Sequence, residues 1–252
     1  MAATVVGLGA APSVSRAPVA APASVAPAVP GVVPAADGLP LSSTYTTVDG
    51  APSDPGAGPT GGAVVHPIRE TPVRDAPGGT AIARLATTQF GDTWLPVIGE
   101  QGAWVQVLLP SKPAHSSGWI RAADVERATT PYVIRVHLTA KRLELVRDGR
   151  VAQAWTVGTG KASAPTPAGR TFLLGAFTDR RQSYSPVILP LGTHSPTHDS
   201  FGGGPGTVAI HTWPTSDVFG TASSDGCIRV PADALQKLTS VPLGTLVLID
   251  QE

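Results

Sequence analysis

The sequence predicts a mainly β protein, with two β-rich parts behind an extended spacer. Three observations predict it. The 252 residues include 28 Gly and 26 Pro, a composition that favours turns over long helices. The first 60 residues are dominated by Ala, Pro, Val, Gly and Ser. From about Ala63 onward, short runs of β-branched and aromatic residues alternate with turn residues.

The spacer comes first. Between Met1 and Ala36 the only charged side chain is Arg16. Pro12, Pro18, Pro22, Pro27, Pro30 and Pro34 remove backbone donors and favour extended conformations, so residues 1–60 read as a leader without a core. Met1 to Ala11 is weakly apolar but lacks the basic start of a signal peptide. No run approaches the roughly 18 apolar residues of a membrane-spanning helix.

Residues 61–128 carry the first set of strands. Val73-Arg74, Ala81 to Leu85, Thr93 to Ile98, Ala103 to Val107 and Gly118 to Ile120 are the apolar or alternating runs. Pro77-Gly78-Gly79, Gly91-Asp92 and Gly99 to Gly102 punctuate them, which reads as a small barrel. Asp124 to Thr130 is charged and reads as a joint ending at Pro131. Residues 131–252 carry the second set. Tyr132 to Leu138 alternates, and Arg142 to Val146 and Val151 to Val157 flank Asp148-Gly149, a strong hairpin signal. Thr171 to Leu174, Val208 to Ile210 and Leu243 to Ile249 are further strands. Ala232 to Leu238 is the best helix candidate, with Pro231 at its start.

Charge excludes some functions. Lys plus Arg equals Asp plus Glu, at 18 each, so no basic excess points to nucleic acid or to an anionic membrane. A single cysteine, Cys227, rules out an internal disulfide and a cysteine-only zinc site. His194, His198 and His211 offer imidazoles, but only Asp199 adds a nearby carboxylate, so no metal or other cofactor is expected.

The chemistry gathers around that cysteine. His211 precedes Cys227, and the loop between them, Trp213 to Ala222, contains Pro214 and Gly220. A thiol with an ordinary pKa of about 8.5 is mostly protonated at neutral pH. A neighbouring imidazole can take its proton and leave an imidazolium–thiolate pair. Gly226 lets the backbone approach a substrate closely, and amides at a Gly-Cys turn can stabilise an oxyanion.

Two resemblances follow. Val73 to Pro77, Gly102 to Val107 and Gly118-Trp119-Ile120 resemble a bacterial SH3-like domain, a module that often accompanies cell-wall enzymes. His211, then Ser224-x-Gly226-Cys227-Ile228-Arg229, resembles the signature of the L,D-transpeptidase (YkuD) catalytic domain. Gly158-x-Gly160, Pro165-Thr166-Pro167-x-Gly169 and Gly202 to Gly206 match that family's order upstream. The implied architecture is an SH3-like small barrel followed by a β-rich L,D-transpeptidase catalytic domain.

The resemblance implies two steps on peptidoglycan stem peptides. A thiolate displaces the terminal D-alanine, and an amine of another stem resolves the thioester into a 3→3 cross-link. By position, Cys227 is the nucleophile and His211 the base, oriented by the backbone carbonyl of Thr212, with Gly226 and Cys227 amides as the oxyanion hole. Ser224 supports the turn and Arg229 walls the site. Asp225 stands where the family often has His; its charge would raise the thiol pKa and Arg229 would lower it. Tyr184 to Asp199, including His194, falls where a substrate-contacting lid is expected. Further implications are an exported or wall-facing monomer, no nucleic-acid partner, and acylation by carbapenem β-lactams. Two alternatives stand beside this reading: an L,D-carboxypeptidase using the same thioester, and a non-catalytic wall-binding protein. A papain-like hydrolase is disfavoured because no histidine follows Cys227.

Overall fold

Alternating apolar residues become paired strands through most of the chain. The architecture is that of a computed structural model, which describes residues 38–201 and 204–252. The spacer expectation for residues 1–37 lies outside those residues. The first sheet contains β1 (Ala63–Pro67), β2 (Thr71–Arg74), β3 (Ala81–Leu85), β4 (Leu95–Gln101), β5 (Trp104–Leu108), β6 (Ser117–Arg121) and β7 (Val125–Thr129). Its order is β3-β2-β6-β5-β4-β1-β7, with neighbours antiparallel. The expected joint at Asp124 to Thr130 is therefore largely strand. Every residue of β7 from Glu126 to Thr129 is exposed, so it pairs with β1 as an edge without an apolar alternation.

The second part begins with β8 (Tyr132–His137), β9 (Arg142–Arg147) and β10 (Arg150–Thr156), followed by β11 (Thr159–Gly160) and β12 (Gly169–Phe172). Next come β13 (Leu189–His194), β14 (Ser200–Phe201), β15 (Gly204–Pro205) and β16 (Thr207–His211). β17 (Ala222–Ser224), β18 (Ile228–Arg229), α1 (Ala232–Thr239) and β19 (Leu246–Asp250) complete it. Asp148 and Gly149 take φ of +50° and +75°, the left-handed pair that turns β9 into β10. The five-stranded sheet runs β10-β9-β8-β19-β12, and a three-stranded sheet runs β13-β16-β18. Helix α1 starts after Pro231 and buries Ala234, Leu235 and Leu238 against the core around Ile134, Leu145, Ile210 and Val247.

The leader expected through residue 60 is overturned from residue 38 onward. Ser42, Thr44, Val48 and Asp54 are all buried. Ser42 donates its backbone N–H to Arg84 and Val48 to Lys112, while Asp54 accepts two bonds from the Arg170 guanidinium, at 2.6 and 2.7 Å. Pairing with distant partners orders a segment whose own composition offers no core. All described residues fall in one compact unit.

Candidate active site

His211 ends β16 and Cys227 directly precedes β18, and these two strands pair in parallel with Ile210 opposite Ile228 and His211 opposite Arg229. Sheet pairing, more than the loop from Trp213 to Ala222, brings the histidine and the cysteine to one place. Val208, Ile210, Ile228 and Val230 are buried, which anchors both strands in the core.

The imidazole is fixed in orientation. His211 is 6% exposed, and its Nδ1–H donates to the Thr212 carbonyl at 2.7 Å. That tautomer leaves Nε2 as an acceptor. Thr212 is braced in turn: its N–H donates to Ser185 Oγ at 3.0 Å and its hydroxyl to the Tyr184 carbonyl at 2.8 Å. The Tyr184 ring lies on the imidazole, with centroids 4.9 Å apart. Burial, against the Thr212 bond, pushes the His211 pKa down to about 4.

The cysteine sits on a tight turn. Gly226 has φ +112°, a left-handed conformation that favours glycine. Ser224 Oγ donates to the Cys227 carbonyl at 2.5 Å and accepts the Gly226 N–H at 3.2 Å. The Gly226 amide thus has a local contact inside the turn. Thr166 holds the same turn from the other side, accepting the Gly160 N–H at 2.9 Å and donating to the Gly226 carbonyl at 2.8 Å. Gly160 must be glycine here, because a Cβ would collide with the Ala164 carbonyl and the Thr166 amide.

Burial raises the Cys227 pKa, opposed by a backbone contact at Ala209 and by Arg229, with Asp225 adding a smaller upward push. Burial thus favours the neutral form of both the thiol and the imidazole. Lys161 pairs with Asp225 at 2.6 Å and holds its carboxyl below the usual range, which mutes the anion beside the thiol. Arg229 packs its guanidinium 3.8 Å from the Trp213 ring centroid and donates to Ser223 Oγ at 3.3 Å. Its Nε is buried without a hydrogen-bond partner among the described residues.

Two cavities reach His211 and Cys227. One, about 140 Å³, is also lined by Ser224, Asp225, Arg229, Trp213 and Tyr184. The other, about 510 Å³, runs past Tyr184, Phe177 and Phe201. A third, about 600 Å³, lies beyond Trp213 against α1 and includes neither His211 nor Cys227, so its size does not make it the reactive centre. Of the expected residues, Cys227, His211, Ser224, Asp225, Arg229 and Tyr184 thus meet at one site, with Thr212 and Gly226 supporting them. His194 does not join them. It is 4% exposed and its Nε2 bonds the Pro110 carbonyl at 2.8 Å, because β13 buries it between the two halves. Trp213 escaped the sequence reading; its signal is an aromatic two residues after the histidine. Among the described residues His137, Asp250 and Glu252 bring possible metal-ligand atoms within 4.8 Å of one another, but that set includes neither His211 nor Cys227.

Part of this chain is similar to known proteins. Residues 131–249 match the family model of the L,D-transpeptidase catalytic domain. YkuD of Bacillus subtilis (strain 168) is 26% identical over 168 residues, covering 64% of this chain and 95% of that protein. Similar solved structures include an L,D-transpeptidase from Mycobacterium smegmatis, at 15% identity and a TM-score of 0.39 over 62% of this chain and 99% of that one. Bd1075 of Bdellovibrio bacteriovorus is 23% identical with a TM-score of 0.39, over 49% of each chain, so about half of that protein has its counterpart here. Residues 131–249, which hold His211 and Cys227, belong to the L,D-transpeptidase catalytic domain family.

Proposed function

We propose that this protein is a peptidoglycan L,D-transpeptidase that forms 3→3 cross-links through a thioester on Cys227. The observation that carries this reading is the fixed His211 tautomer, with Nδ1–H on the Thr212 carbonyl, bordering the same cavities as the only cysteine. A neutral imidazole is competent to accept a proton, and a neutral thiol has one to give.

In the first half-reaction His211 Nε2 takes the Cys227 proton as Sγ bonds to the carbonyl carbon of the third stem residue. The carbonyl oxygen becomes an oxyanion, which the amides of Gly226 and Cys227 at the turn stabilise. The C–N bond to the terminal D-alanine then breaks, and the imidazolium returns its proton to that nitrogen. In the second half-reaction the side-chain amine of an acceptor stem attacks the thioester and gives a proton to His211. The C–S bond breaks, and the sulfur recovers the proton. Arg229 and the Lys161–Asp225 pair flank these steps as charged walls. Residues 61–128 serve as an SH3-like accessory domain, and the protein works outside the cytoplasmic membrane, where its substrate lies.

Intact-protein mass after incubation with a carbapenem tests the reading. Wild type should gain one drug mass and Cys227→Ala none. A folded wild type without an adduct would sink the cysteine mechanism and favour a non-catalytic wall-binding role.

A further inference from the structure

The larger of the two cavities at Cys227 is walled from both halves of the molecule. Tyr45, from the segment before β1, and Phe90, from the turn between β3 and β4, border it together with Phe177, Phe201 and Tyr184, with Asp179 and Arg181 also in its lining. Phe90 holds φ +53°, a left-handed conformation rare for a bulky residue, and its ring stacks on Phe177 with centroids 5.2 Å apart. Tyr45 is 70% exposed and Phe201 53% exposed. These are two of the four exposed large hydrophobics among the described residues, and both border this one cavity. The first half also grips the strands that roof the site. Pro110 accepts a bond from buried His194 at the end of β13, and Lys112 pairs at 2.8 Å with Asp199, beside β14.

Exposed aromatic faces around a cavity of about 510 Å³ that ends on a thiol are suited to an extended ligand with apolar surface. A stem peptide offers alanyl methyls and the alkyl chain of its diamino acid. The acyl donor reacts as a neutral amide, which suits this aromatic passage.

We infer that Tyr45 and Phe90 are specificity-determining residues that bind the acyl-donor stem peptide, so that the donor subsite is completed by the N-terminal half. The inference rests on the transpeptidase reading above and deepens it. Removing a ring that contacts the donor equally in the ground and transition states raises KM and spares kcat.

The test is release of D-alanine from a soluble stem tetrapeptide by the full chain. Tyr45→Ala should raise KM about fivefold with kcat within about twofold, a size expected for one partly exposed aromatic contact. Tyr45→Phe should restore most of the affinity, and Phe90→Ala should shift KM in the same direction as Tyr45→Ala. The exposure of Tyr45 keeps its loss from threatening the fold. An unchanged KM in Tyr45→Ala, or a fall in kcat alone, would overturn the inference. Carbapenem acylation separates the two levels. Wild type that forms the adduct, with Tyr45→Ala indistinguishable on the peptide, loses the donor subsite and keeps the transpeptidase reading. Wild type that forms no adduct and releases no D-alanine loses both.

Discussion

The core of the second half is closed by its own residues, from Ile134 and Leu145 on β8 and β9 to Ile249 on β19. The core of the first half is not. Val65, Leu85, Val105 and Ile120 pack there with Phe172, Leu174 and Leu246, all supplied by the second half. One half therefore holds His211 and Cys227 and a complete core, and the other borrows part of its interior. An accessory module tied on by a linker would show two separate cores and an interface like that of a transient complex. Here the boundary passes through shared apolar packing and a buried ion pair.

The largest effect that can break this contrast is at Phe172, a fully buried ring at the end of β12. Phe172→Ala should cost about 3–5 kcal/mol. In a background with Trp155→Phe and Trp213→Phe, fluorescence reports Trp94, Trp104 and Trp119 of the first half. The first-half transition should move to lower denaturant although the substitution lies in the second half. A first-half transition that stays in place would show that its core does not depend on Phe172.

Asp54→Asn comes next. It leaves the Arg170 guanidinium, 9% exposed, beside a neutral partner, which should cost about 3 kcal/mol by chemical denaturation. Combining it with Arg170→Met should recover part of that loss, because no uncompensated charge then stays buried. Equal or greater loss in the double variant would mean that the pair contributes through packing instead of charge.

The smallest effect distinguishes the half that owns the site. An unfolded chain protonates His211 near the ordinary value of about 6.5, while the folded chain does so only near 4. As pH falls through that window the unfolded state binds the proton first, so stability is lost. Between pH 7 and pH 5 the loss from this one group is about 2 kcal/mol. His211→Gln should lose correspondingly less over the same range in urea. Equal losses in both proteins would mean that other groups govern the acid response.

Much of this was legible in the sequence where the signal is local. The Asp148-Gly149 turn, the alternation of β8, and Pro231 ahead of α1 each carry their structure within a few residues. The same holds for Ser224-x-Gly226-Cys227 and for His211 with Thr212, where the bonds that shape the site join residues one to three apart. What was hidden depends on distant partners. Strand β7 has almost no buried residue and exists because β1 pairs with it. Residues 38–60 are ordered by partners such as Arg170, 116 positions from Asp54. His194 looked like a lid residue and is an interior one, since its partner Pro110 lies 84 positions away.

The shared interior also sets an order of events in synthesis. A chain emerging from its N-terminus completes β1 to β7 long before Leu246 exists, yet Leu246 belongs to the core those strands enclose. β8 likewise waits for β19, its parallel neighbour more than 100 residues later. Neither half can close until β19 has been made. The two halves are thus tied to one late strand, β19, which completes the sheet of one and the core of the other.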